Sequence, residues 1–214
     1  MKDKIVVIGG GGWGRVIINA LKKLNIYEIL GYTDLVDKGT LFGIRYLGND
    51  DVLKDIIKKY TNCNAVLGVG NIIISKTRIE LFEKIKKIGF IFPVIISPNA
   101  IINEGVEIDE GTVVLDGAVL CTCAKIGKCA IVSSNVILEH DSSSGDFVNF
   151  CAGAILSGGA AIGDNSLLGV SAIIVGFKKV GRDCFIGPGS VVIKDLLLPG
   201  TYFGSPARKI SISE

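Results

Sequence analysis

Two periods of hydrophobicity divide the chain. Over the first ninety-odd residues, short apolar runs alternate with stretches of helical apolar spacing. IVVIG at 5–9 and EILGYTD at 28–34 read as strands, and Trp13 to Leu24 and Asp51 to Tyr60 as amphipathic helices. AVLGVG at 65–70 follows as a buried parallel strand, and Ser75 to Ile88 spaces its apolar residues helically among lysines and glutamates. The succession predicts a Rossmann-like α/β domain over residues 1–95, a βαβαβ half of a doubly wound sheet.

From residue 102 a six-residue period takes over: Ile102, Ile108, Val114, Leu120, Ile126, Val132, Leu138, Ser144, Phe150, Leu156, Ile162, Leu168, Ile174, Val180, Ile186 and Val192. Only Ser144 among them is polar. Glycine directly follows at 127, 145, 163, 169, 181 and 187, and four places on come small or β-branched residues such as Thr112, Ala118, Ala124, Ala154 and Ser190. Each hexapeptide therefore supplies one short strand and one tight corner of a solenoid, and three of them close a triangular coil. Residues 96–214 are expected to form a parallel β-helix of about five coils. A β-sandwich would space its turns at 8 to 12 residues, without a fixed six-step register.

Composition narrows the function classes. Twenty-three basic and 21 acidic residues are interspersed to a net charge of +2, leaving no basic face for nucleic acid. The longest uncharged stretch, Phe147 to Gly163, holds four glycines and is too short to span a membrane. Lys2, Asp3 and Lys4 lead straight into the first strand without a signal-peptide pattern, so a cytoplasmic protein is expected. Six cysteines form no CxxC pair and the chain has one histidine, so no metal site is expected and the cysteines read as small packing residues.

Two features carry candidate chemistry. Gly9, Gly11 and Gly14 satisfy GxGxxG between a strand and a helix, with Asp34 some twenty residues on, formally a dinucleotide fingerprint. A domain of 95 residues provides only half of such a site, which suits a smaller phosphorylated ligand held at the helix N-terminus. The single histidine, His140, lies in the sequence EHD, where it reads either as a general base or as a structural residue at a coil corner.

Several segments together resemble one family: VVIGGGGWGR at 6–15, GYTD at 31–34, LGVGN at 67–71, VILEHDSSSGDFVNFCAGA at 136–154 and GSPARKI at 204–210. They are similar to the hexapeptide-repeat sugar acetyltransferases related to PglD and NeuD. The resemblance implies a left-handed β-helix, a homotrimer with active sites between subunits, acetyl-CoA in the groove between neighbours, and a nucleotide-sugar acceptor. It makes His140 the general base and Asp141 the carboxylate that orients it. It assigns acetyl-CoA contacts to Asn149, which stands where relatives have a second histidine, and to Val170 and Pro188, with Lys178, Lys179 and Arg208 as candidates for the CoA phosphates. Acceptor contacts fall on Gly11, Gly12, Trp13, Asp34, Gly70 and Asn71, with Trp13 where relatives commonly have histidine.

An acetyl thioester is already activated, so catalysis needs chiefly an acceptor held near the carbonyl and a base for its proton. An imidazole, which ordinarily titrates near ~6.5, can serve as that base. The leading expectation is N-acetylation of a nucleotide-linked 4-amino-4,6-dideoxy sugar. O-acetylation of sialic acid or a related sugar stands second, and a non-catalytic or NAD-binding trimer third. SSSG at 142–145 and the corner from Gly176 to Lys179 break the repeat, so a distortion and a bulge are expected there.

Overall fold

The computed structural model describes residues 2–71 and 73–210. It consists of two compact units, the first built from residues 2–71 and 76–95, the second from residues 73–75 and 96–210.

The first unit is a four-stranded parallel sheet of β1 (Asp3–Ile8), β2 (Tyr27–Thr33), β3 (Tyr46–Gly48) and β4 (Asn64–Leu67), in the order β3-β2-β1-β4. Its helices are α1 (Gly12–Leu24), α2 (Leu53–Lys59) and α3 (Thr77–Ile88). The connection through α1 runs outward from β1 to β2 and the one through α2 returns across the sheet to β4, and right-handed crossovers of opposite direction require helices on opposite faces. Ile5, Val6, Val7 and Ile8 of β1 are all buried, as a strand covered on both sides requires. α1 buries Ile17, Ile18, Ala20 and Leu21, carries Lys22 and Lys23 in its last turn and stops at Asn25 in the left-handed conformation.

Element ends differ in two places from what the sequence suggests. A 3₁₀ turn, Asp50–Val52, precedes α2, because the Asn49 side chain accepts a hydrogen bond from Asp51 N and opens a tight turn there. β4 ends at Leu67 rather than continuing through Gly70. The reason is at Gly68, where a Cβ would stand 2.4 Å from the Gly9 carbonyl oxygen, so the two backbones touch as they leave the sheet.

Gly14 is under the same constraint, with a Cβ there falling 2.1 Å from the Gly9 oxygen. Gly14→Ala should push α1 off β1 and lower stability by ~1–3 kcal/mol. Gly11→Ala meets nothing within 4 Å and should stay within ~0.5 kcal/mol of the parent, as paired urea titrations of the two variants would measure.

The second unit is a parallel β-helix of two-residue strands. Its first face stacks Val113–Val114, Ile131–Val132, Asn149–Phe150, Leu167–Leu168 and Cys184–Ile186. The second stacks Ile101–Ile102, Val119–Leu120, Ile137–Leu138, Ile155–Leu156, Ile173–Ile174 and Val191–Val192. Glu107–Ile108, Lys125–Ile126, Ser143–Ser144, Ala161–Ile162 and Lys179–Val180 form the third. In each pair the second residue points to the axis, and Val114, Leu120, Val132, Phe150, Leu156, Leu168, Ile174 and Ile186 are fully buried there. Alanines 118, 124, 130, 154, 160 and 172 fill the space inside the corners.

Neither expected irregularity occurs. Ser143 and Ser144 pair in register with Lys125 and Ile126 on one side and Ala161 and Ile162 on the other. Backbone hydrogen bonds between coils do not depend on the side chain, so the ladder carries the serines through, with the buried Ser142 and Ser144 hydroxyls left without a partner. The corner at Gly176 to Lys179 is also regular: Phe177 N donates to Gly158 O at 3.0 Å and Lys179 pairs with Ala161.

The outward residues differ by face. The third face presents Glu107, Lys125, Ser143, Ala161 and Lys179, whereas the second presents an unbroken ladder of Ile101, Val119, Ile137, Ile155, Ile173 and Val191, all partly or fully exposed. The last coil is closed by the strand Gly200–Phe203 and its antiparallel partner Arg208–Lys209. A paired end of this kind covers an edge that would otherwise be open.

Candidate functional sites

The order β3-β2-β1-β4 reverses between β1 and β4, and ligands of open α/β sheets bind beyond the strand ends at such a point. A cavity of about 490 Å³ lies there, lined by Gly9 after β1, Thr33 at the end of β2 and Asp34 after it, Val69 after β4, Asp50, and Thr77, Glu80 and Lys84 of α3. Lys84 Nζ stands 3.3 Å from Asp50, whose other oxygen accepts from the Thr33 hydroxyl at 2.8 Å. The lining combines apolar side chains, Ile8, Leu35, Val69 and Leu81, with the carboxylates of Asp34, Asp50 and Glu80, which suits a ring carrying hydrogen-bond donors better than phosphates.

Phosphates have a different place. α1 begins at Gly12 with no side-chain cap and no acidic residue in its first turn, so no side chain of the helix itself offsets the partial positive charge of its N-terminus. Gly11 and Gly12 have open space where a Cβ would stand, so nothing in the fold of this chain requires glycine there. A ligand approaching the backbone closely would. Asp34, which the resemblance makes an acceptor contact, is anchored to the same loop: its Oδ2 accepts from Gly10 N at 2.8 Å and its Oδ1 from Val36 N at 3.2 Å. Trp13 packs against Gly70, whose Cβ would stand 3.3 Å from the Trp13 side chain. Gly11, Gly12, Trp13, Asp34, Gly70 and Asn71 thus border the turns after β1, β2 and β4, with Gly70 exposed and Asn71 half-buried.

The second site is a corner between the second and third faces, formed by Glu139, His140, Asp141 and Ser142. Asp141 takes a positive φ of 58°, which turns its carboxylate back toward its neighbour, and its Oδ2 lies 2.9 Å from His140 Nδ1. A carboxylate only accepts, so Nδ1 is the donor and the neutral ring leaves Nε2 with its lone pair free. Nε2 points over the next coil, only 2.6 Å from where a Cβ of Gly158 would be. Both side chains are more than half exposed. The arrangement can accept a proton from a molecule outside the chain.

The remaining expected residues are spread along the β-helix. Val170 and Pro188 occupy the same corner one coil apart and are both exposed, flanking the backbone of Gly169 and Gly187. Asn149 begins a first-face strand and is 6% exposed, so its amide is enclosed. Lys178 and Lys179 lie in the corner beyond Phe177, and Arg208 is exposed with its guanidinium on its own Ala207 carbonyl. Burial pushes the Cys63 thiol up to about 11 and raises those of Cys121, Cys151 and Cys184, which disfavours thiolate chemistry at these four. Among the described residues no group of three or more His, Cys, Asp or Glu could hold a metal ion, and no helix is long and apolar enough to cross a membrane.

Residues 4–85 match the PglD N-terminal domain. Solved structures similar over nearly the full length include a GDP-perosamine N-acetyltransferase from Caulobacter crescentus, in complex with CoA and GDP-perosamine. It is 25% identical with a TM-score of 0.91, and the match covers 97% of each chain. The acetyltransferase domain of PglB from Neisseria gonorrhoeae, in complex with acetyl coenzyme A, is 28% identical with a TM-score of 0.91, over 98% of this chain and 100% of that one. WeeI from Acinetobacter baumannii is 25% identical with a TM-score of 0.85, over 98% and 100%. The N-terminal α/β unit and the left-handed β-helix are those of these proteins, and residues 4–85 are those of a PglD N-terminal domain.

Proposed function

We propose that this protein transfers the acetyl group of acetyl-CoA to the amino group of a nucleotide-linked 4-amino-4,6-dideoxy sugar, with His140 as general base. The observation that carries the reading is the His140–Asp141 pair, a base oriented by a carboxylate and aimed outward over glycine. In the reaction the amine nitrogen attacks the thioester carbonyl, a C–N bond forms and the C–S bond breaks. Nε2 takes the proton that the nitrogen loses and returns it to the departing thiolate. Asp141 stabilises the imidazolium formed in between.

The acceptor's diphosphate fits the uncapped N-terminus of α1 at Gly11 and Gly12, and its nucleoside the largely apolar cavity beside Asp34 and Asp50. Relatives in complex with CoA, acetyl coenzyme A or GDP-perosamine support these ligand classes. Acetyl-CoA would lie along the later coils past Val170 and Pro188, where exposed corners leave backbone groups accessible. The Ile and Val ladder of the second face, which borders the His140 corner, supports association of three copies side by side, since contiguous exposed apolar surface favours assembly.

The test is a thiol-release assay with acetyl-CoA against GDP-, UDP- and TDP-linked 4-amino sugars and sialic acid. Turnover of an amino sugar is the expected result. Turnover of sialic acid alone would replace this reading with O-acetylation, and silence across the panel would refute both.

A further inference from the structure

Two aromatic side chains from different coils converge on one stretch of backbone that has no side chains of its own. His140 leans forward over Gly158, and Phe177 leans back over Gly159, where a Cβ would stand 2.6 Å from its ring. Hydrogen bonds tie the three corners together, Gly159 N to His140 O at 2.9 Å and Phe177 N to Gly158 O at 3.0 Å. Neighbouring Cα atoms are ~3.8 Å apart, so the imidazole and the phenyl ring stand side by side on one corner.

Packing within the subunit does not account for this phenylalanine, although the coil corner sets its φ as it does that of Phe147. Its side chain is 76% exposed, and its φ of +60° is a conformation that bulky residues rarely adopt. The same position on earlier coils holds Gly105, Cys123, Asp141 and Gly159. An exposed ring on strained backbone, beside the base, makes sense when a substrate meets it.

Resting on the acetyl-transfer reading above, we propose that Phe177 is a specificity-determining residue that walls the slot for the acyl group and restricts the donor to short chains. A nucleophile hydrogen-bonded to Nε2 lies ~3 Å from it, and the acyl carbon a further ~3–3.5 Å on, so the acyl tail ends at about the distance of an adjoining ring. Phe177 shares its coil with Val170, among the later coils assigned to acetyl-CoA, which puts the ring on the donor side rather than the acceptor side. A flat apolar wall accepts a methyl group and blocks the carbons beyond it.

Phe177→Gly tests this in the full-length protein, because glycine takes a positive φ freely and should preserve the fold, as an unchanged or raised Tm would show. The readout is kcat/KM for acetyl-, propionyl- and butyryl-CoA with the amino sugar that the wild type uses. The butyryl-to-acetyl ratio should rise by about tenfold or more, the scale of discrimination that one or two methylenes provide. An unchanged ratio overturns the proposal. So does a change confined to KM for the amino sugar, which would make the ring an acceptor contact, or a smaller sedimenting species, which would make it an assembly contact. A wild type inactive with every acceptor would instead refute the acetyl-transfer reading on which the proposal stands.

Discussion

His140→Ala should lower kcat/KM for acetyl transfer by about 100- to 10,000-fold, the usual contribution of a positioned general base, with no loss of thermal stability. The imidazole is 58% exposed and its side chain is hydrogen-bonded to the still more exposed Asp141, so its removal leaves no cavity and no buried orphan. Asp141→Asn should cost less activity, because an amide oxygen still accepts from Nδ1 and keeps the ring oriented while the charge that stabilises the imidazolium is gone. Steady-state kinetics with CoA release as readout separates the two variants. An alanine variant as fast as the wild type would remove His140 from the mechanism.

Ile155→Glu should dissociate the assembly and abolish most of the activity while leaving the subunit folded. Ile155 stands in mid-ladder on the second face between Ile137 and Ile173, so a carboxylate there would have to be desolvated in any contact made through that face. The axial neighbour Leu156 is fully buried and untouched by the substitution, which is why the β-helix itself should survive. Lys125→Ala on the third face, which removes only a surface pair with Glu107, serves as the contrast and should sediment like the wild type. Circular dichroism reports the fold and analytical ultracentrifugation the assembly. An Ile155→Glu protein that sediments unchanged would mean that copies associate through some other surface.

The β-helix was the most legible part of the sequence because one rule, an apolar residue every sixth position, acts on every coil, and axial burial of Leu120, Leu138 and Leu156 needs nothing else. The same regularity defeated the expectation of a distortion at Ser144. Side chains there break the pattern, but the ladder is made by backbone groups of Lys125, Ser143 and Ala161 that the pattern does not describe. The second-face ladder is equally present as a spacing, in the residues just before every third periodic one, but the axial period by itself does not say which outward residues share a face.

The candidate sites were legible in kind but not in geometry. The sequence marks Asp34 as a residue to watch, yet its bonds to the Gly10 and Val36 amides depend on how the loop after β2 folds back. Asn149 could be singled out by resemblance, whereas its enclosure could not. His140 and Phe177 are 37 positions apart and share no motif. Only coiling, which makes the corners at 140, 158 and 177 neighbours, brings them together.

The stacking register also restricts how such a chain can change in length. Strand partners on successive coils are 18 residues apart, as Ile131 and Asn149 are, and Ile137 on the next face follows Ile131 by six. Loss or gain of one whole coil would leave every downstream residue on its own face and only shift it along the axis. A six-residue deletion before residue 131 would instead rotate the remainder by one side, so that Ile137, Ile155, Ile173 and Val191 would turn with the histidine corner and part from Ile101 and Val119 while the axis stayed filled. A single-residue deletion would turn axial leucines outward. Length variation in this half of the molecule is therefore quantised: the fold tolerates multiples of six, and an unbroken apolar ladder only multiples of 18.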